Sequence, residues 1–144
     1  MKRWLAFLTL GLAGCASTPT APMPTVPHVD LARFMKDTVG CRFFSFLTAI
    51  DWKEQGLEVV VRIDNLDAGL FAVIRTKLGA GVTACPSLVP VFRGANWMER
   101  ECFDMFGIQF EGHPDLRRIL LEDSWQGHPL LKSYAVDTAF PPYR

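Results

Sequence analysis

Residues 94–121 read GANWMERECFDMFGIQFEGHPDLRRILL, and the fold turns on how this stretch is folded. Asn96 is a good helix N-cap, and Glu99 stands three residues later, where its carboxylate can reach back and close a capping box. Gly107 supplies the left-handed stop, and Ile108 beyond it can fold back onto Phe103. At about 100° per residue, Met98, Cys102, Phe103, Met105 and Phe106 share one apolar arc, with Arg100, Glu101 and Asp104 opposite. Glu99 falls among the apolar residues, which the capping box explains. Arg100 and Asp104 are spaced for an i,i+4 pair on a solvated face, worth only about 0.2 to 0.5 kcal/mol.

A chain of 144 residues suits one domain, and 49% hydrophobic content with 11 Phe and 4 Trp suffices for one core. The 15 basic and 15 acidic residues leave no net charge, so bulk electrostatics give no reason to expect a nucleic-acid partner. Cys15, Cys41, Cys85 and Cys102 are far apart and show no CxxC or Cys-His ligand spacing, which argues against a metal or iron–sulfur site within the chain. Buried apolar roles suit Cys41, Cys85 and Cys102, and a disulfide between two of them stays open if the domain is exported. His28, His113 and His128 have no further ligand nearby in sequence and read as structural.

Around this stretch the chain divides into three parts. Residues 1–29 resemble a bacterial lipoprotein leader and tether: Lys2 and Arg3, an apolar run over 4–12, a lipobox-like Leu12-Ala13-Gly14-Cys15, then a Pro/Thr-rich segment. That reading lipidates Cys15; the alternative is a start of translation at Met23. Residues 30–121 are globular. Asp30 can cap a helix carrying Leu31, Phe34, Met35 and Val39, which Gly40 ends. Residues 43–50 and 70–78 read as strands. Residues 57–63 alternate, with Leu57, Val59, Val61 and Ile63 on one side and Glu58, Val60 and Arg62 on the other.

Residues 79–86 read as a loop, 88–92 as a short edge strand and 117–121 as a further strand. Residues 122–144 lack periodicity and read as an extended tail that needs a partner surface to order it. The fold class expected is α+β: a small, mainly antiparallel sheet with helices packed on one face and an extended C-terminal tail.

No phosphate loop, nucleophile elbow or paired-histidine zinc helix is present, so independent catalysis is not expected. Gly112-His113-Pro114 and Gly127-His128-Pro129 echo each other, each followed by a leucine and a base. The residue before each proline is driven toward extended backbone, which would turn both imidazoles outward on rigid turns. Contact with a partner and plain turn chemistry explain this echo equally well.

The run Glu99-Arg100-Glu101, two residues, Asp104-Met105-Phe106, six residues, His113, three residues, Arg117, one residue, Ile119-Leu120 resembles the signature of one family. That family is the 30-kDa subunit of respiratory complex I, the C subunit of bacterial NADH-quinone oxidoreductases. Ala95-Asn96-Trp97, Arg118, Trp125 and Gly127-His128-Pro129-Leu130 agree with it, and looser likeness reaches back to residue 30. After Leu130 the chain departs, with Leu131, Lys132, Ser133, Tyr134 and Ala135 where the family commonly has Arg, Lys, Asp, Tyr and Pro.

The resemblance implies a subunit of an NADH-quinone oxidoreductase, a translocase, with no catalytic activity or cofactor of its own. Flavin mononucleotide, iron–sulfur clusters and quinone would belong to partners: the 49-kDa-type subunit and the other peripheral-arm subunits. It also implies membrane association through the complex, peripherally, on the cytoplasmic face of the cell membrane. Glu99, Arg100, Glu101, Asp104, His113, Arg117, Arg118 and His128 would then be interface or structural residues rather than catalysts. Two other readings stay open: a lipid-anchored extracytoplasmic binding module held through Cys15, and the equivalent subunit of a membrane-bound hydrogenase-type complex.

Overall fold

A computed structural model describes residues 27–135 and 137, together with the backbone of residues 5–11. Four strands form one sheet: β1 (Leu5–Gly11), β2 (Phe43–Asp51), β3 (Leu57–Asn65) and β4 (Leu70–Lys77), in the order β1-β4-β3-β2, every pair antiparallel. Two helices, α1 (His28–Asp37) and α2 (Ala95–Phe106), pack on β4 and β2 respectively. The expected α+β class is what the structure has. The apolar part of the sequence's leader-like run takes a strand backbone here, paired with β4; Cys15 and Met23 lie outside the described residues.

The alternation in β3 sets the core. Val59, Val61 and Ile63 point to the helices beside Leu47 and Ala49 of β2 and Ala72 and Ile74 of β4, and all are buried. Ala32 and Met35 of α1 and Ala95, Cys102 and Phe106 of α2 close that layer. The other face is not uniformly solvated. Glu58 is buried there because Arg75 grips it through Nε at 3.2 Å and Nη2 at 2.7 Å, and Trp52 Nε1 donates to it at 2.9 Å. Alternation places a side chain on a face; it does not say which neighbours cover it.

Several expected boundaries move. Helix α1 starts at His28 after Pro27, with no side-chain cap from Asp30. His28 is buried, with Nε2 donating to Pro86 O at 2.9 Å, and burial lowers its pKa. Residues 88–92 form a turn rather than an edge strand, with Val91 N and Phe92 N both donating to Leu88 O. The extra strands lie elsewhere, in the short β5 (Ala84–Pro86), inside the expected loop, and β6 (Gln109–Glu111), which pair in parallel. Parallel pairing of segments this far apart leaves no local signature.

The described part of the tail finds its surface on its own chain. Leu130 N donates to Met105 O at 3.1 Å at the end of α2, and Lys132 N donates to Asp51 Oδ2 at 2.7 Å at the end of β2.

Candidate functional site

The stretch 94–121 and the segment after it form a clasp around α2. The helix begins after Gly94, so Asn96 lies inside it and caps nothing. Glu99 closes no capping box. It is wholly buried, and its carboxylate accepts Ser87 Oγ at 2.7 Å and Leu88 N at 2.6 Å, tying α2 to the turn after β5. Burial pushes this carboxyl up to about 7, against the two bonds that favour its charged form. No cation pairs with it among the described residues. The burial of Cys85 and Cys102 raises both thiols, and both side chains are free cysteines in the core, as is Cys41.

Asp104 stands at the centre of the clasp. The helical wheel places it on the solvated side, but its side chain is 0% exposed. Oδ2 accepts the backbone N–H groups of Ile119, Leu120 and Leu121 at 3.1, 2.8 and 2.9 Å, and Oδ1 accepts Arg118 Nη1 at 2.6 Å. Burial raises its pKa, yet the N–H bonds from Leu121 and Leu120, the Arg118 guanidinium and the Ile119 N–H outweigh that and hold the carboxyl below its usual range. A carboxylate that gathers three successive N–H groups prevents residues 117–121 from forming the expected strand. They wrap an anion instead.

Arg118 extends the clasp, as its Nη2 donates to Trp125 O at 3.3 Å and Gly127 O at 3.1 Å. Arg100 does not pair with Asp104; its guanidinium donates to Arg117 O and Arg118 O, both at 3.1 Å. Asp104 is already satisfied, and Arg100 instead satisfies carbonyls of the same loop.

Both Gly-His-Pro turns face inward. Asp115 N donates to His113 Nδ1 at 3.0 Å, so His113 carries its proton on Nε2 and donates it to Asn96 O at 3.1 Å. His128 Nδ1 donates to Asp104 O at 2.9 Å, and its ring meets Phe103 edge-on with centroids 6.5 Å apart. Gly107 ends α2 at φ 75°, its N–H returning to Phe103 O, as the sequence indicates. Its missing Cβ matters twice, since one built there would lie 2.8 Å from the His128 ring.

Glu101 and Arg117 stay on the surface, and Arg117 pairs only with exposed Asp115 at 3.0 Å. Trp97 and Leu120 are also outward, 71% and 62% exposed. The signature positions thus come together, but as a structural clasp with few of its charges left free. Sequence reasoning missed Ser87 and the backbone N–H groups of residues 119–121, since nothing in a hydroxyl or a peptide group announces a partner so far along the chain.

The family model for the respiratory-chain NADH dehydrogenase 30 Kd subunit matches residues 25–139, which include every residue of the clasp. The chain belongs to this family. It is similar to the C subunit of the NADH-quinone oxidoreductase of Rhodobacter capsulatus, with 47% identity over 108 residues, covering 73% of this chain and 54% of that protein. The same-named protein of Caulobacter vibrioides is 42% identical over 109 residues, covering 74% and 55%. The mitochondrial NADH dehydrogenase [ubiquinone] iron-sulfur protein 3 of Candida albicans is 40% identical over 134 residues, covering 91% and 44%. The chain therefore spans about half the length of the curated relatives it matches. In this chain the signature residues Glu99, Asp104 and His113 tie α2 to the loops on either side of it.

Proposed function

We propose that the chain serves as a peripheral-arm subunit of a proton-translocating NADH-quinone oxidoreductase. In this reading it docks on the 49-kDa-type subunit and other arm subunits. Electrons pass from NADH through flavin mononucleotide and iron–sulfur clusters to quinone within those partners, and this chain supplies shape and contact rather than chemistry. Among the described residues no group of three or more His, Cys, Asp or Glu is placed to hold a metal ion, and no helix is long and apolar enough to cross a membrane. Attachment to the membrane would come through the complex, on the cytoplasmic face.

The observation that carries the reading is the outward placement of Trp97 and Leu120 on a clasp whose central charges, Asp104 and Arg118, are spent internally. Large apolar side chains held on a rigid surface suit a face that a partner covers.

The test is affinity recovery of the tagged chain from mildly solubilised membranes. NADH-quinone oxidoreductase activity and the 49-kDa-type subunit should come with it. Trp97→Ala/Leu120→Asp should lose both while keeping its urea midpoint. Recovery of the intact chain alone would overturn the proposal. So would a native protein whose intact mass reports a diacylated Cys15 terminus, because a lipidated, exported copy could not reach such partners.

A further inference from the structure

An open groove of about 610 Å³ lies where the last turn of α1, the start of β2 and the loop leading into α2 meet. Half-buried Phe44 contributes apolar surface to it, its ring packed on that of buried Phe92 at a 36° tilt with centroids 5.3 Å apart. Three cations line it from three different parts of the chain: Lys36 of α1, Arg42 before β2 and Arg93 before α2. No carboxylate is among its lining residues. An adjoining depression of about 390 Å³ shares Arg42 and holds Asp67, but the two make no ion pair.

Lys36 is fixed by its own chain, with Nζ donating to Val91 O at 2.6 Å and lying 5.1 Å from the Phe92 ring centroid. Arg42 and Arg93 are exposed, and among the described residues neither guanidinium takes part in an ion pair. Three arginines elsewhere are paired closely, Arg62 with Asp64, Arg75 with Glu58 and Arg118 with Asp104. A chain with no net charge has thus gathered three positive groups around one trough with no carboxylate in its lining. Such an arrangement attracts an anion and repels a cation.

We infer that this groove receives an extended acidic segment of a partner polypeptide, with an apolar side chain seated against Phe44. The inference rests on the proposed role as a subunit and names a place of contact for it. A lone phosphate would leave the aromatic surface unused, and the cations come from three separate parts of the chain rather than from one phosphate-binding loop. A flat bilayer surface does not fill a concave trough. An acidic strand with an apolar residue matches both the charge and the shape.

The test uses fluorescence anisotropy of the full chain with a fluorescein-labelled hexapeptide of alternating glutamate and leucine. Binding should weaken roughly tenfold in Arg42→Glu/Arg93→Glu, and should fall as salt rises from about 50 mM to about 300 mM. A charge-matched control, Lys53→Glu/Lys77→Glu at the other end of the sheet, should bind as the parent does. If the glutamate variant loses its urea midpoint, Arg42→Gln/Arg93→Gln is read in its place.

Absence of binding, or equal binding by both double variants, overturns the inference. So does binding of phosphatidylserine vesicles, but not of the peptide, that Arg42→Glu/Arg93→Glu abolishes, because the groove would then serve a membrane. Recovery of the 49-kDa-type subunit keeps the two proposals apart. If Arg42→Glu/Arg93→Glu recovers it as well as the parent does, the groove falls and the subunit role stands. If the parent recovers no partner, the subunit role falls, while the peptide affinities still report on the groove.

Discussion

Arg118 Nη1 and Asp104 Oδ1 meet at 2.6 Å, with Asp104 fully buried and Arg118 only 16% exposed. The pair joins α2 to the segment beyond it, and three backbone N–H groups share the same carboxylate. Asp104→Ala strands all four donors, so a loss of about 3 to 5 kcal/mol in urea unfolding is expected. Asp104→Asn keeps one acceptor oxygen and should cost less. Amide exchange at residues 119–121 should rise in both, and unchanged exchange there would refute the assignment.

Glu99 should make stability fall as pH rises. Its folded pKa is about 7 against 4.5 for the ordinary side chain, so the folded state binds the proton more tightly than the unfolded state does. The contribution is complete below about pH 4.5 and is lost progressively up to about pH 7, at most about 3 kcal/mol. Glu99→Gln should flatten urea midpoints measured between pH 5 and pH 8. Asp104 has the opposite sign: its lowered pKa gives stability that is present above the ordinary carboxylate range and lost as pH falls through the folded value.

Gly107→Ala combines a left-handed backbone with a collision against the His128 ring, and a loss of about 2 kcal/mol or more is expected. Adding His128→Ala removes the collision but not the backbone cost. Thermal unfolding of the four proteins of this cycle should therefore show His128→Ala costing less in the Gly107→Ala background than in the parent.

Arg100 and Arg117 should behave differently, although the sequence treats them alike. Arg100 holds two loop carbonyls, and Arg100→Ala should lower both fold stability and recovery of the complex. Arg117 is 71% exposed and pairs only at the surface, so Arg117→Ala should change stability by about 0.5 kcal/mol or less. Any larger effect of Arg117→Ala must appear in the recovery assay alone; an equal loss in stability would show that this side chain serves the fold.

Strands β2, β3 and β4 and the glycine stop of α2 were legible because each rests on local chemistry. Alternation reports a pleated face, and a glycine after an apolar helix reports a left-handed residue. The capping box at Asn96 and Glu99 was a local explanation for a charge on the apolar arc. It failed because Glu99 has a better partner in Ser87 and the Leu88 amide, brought beside it by the turn after β5. The outward histidines failed likewise, since α2 offers the carbonyls of Asn96 and Asp104 to their rings.

By itself the sequence determined the α+β class, the apolar faces of the main strands and, through the spacing from Glu99 to Leu120, the family. Only the tertiary structure decided what those spaced residues do. A carboxylate such as Asp104 reads as solvated or buried according to which donors surround it, and its donors here are a guanidinium and three peptide groups from residues 118–121. Periodicity along a helix carries no information about peptide groups that arrive from elsewhere in the chain.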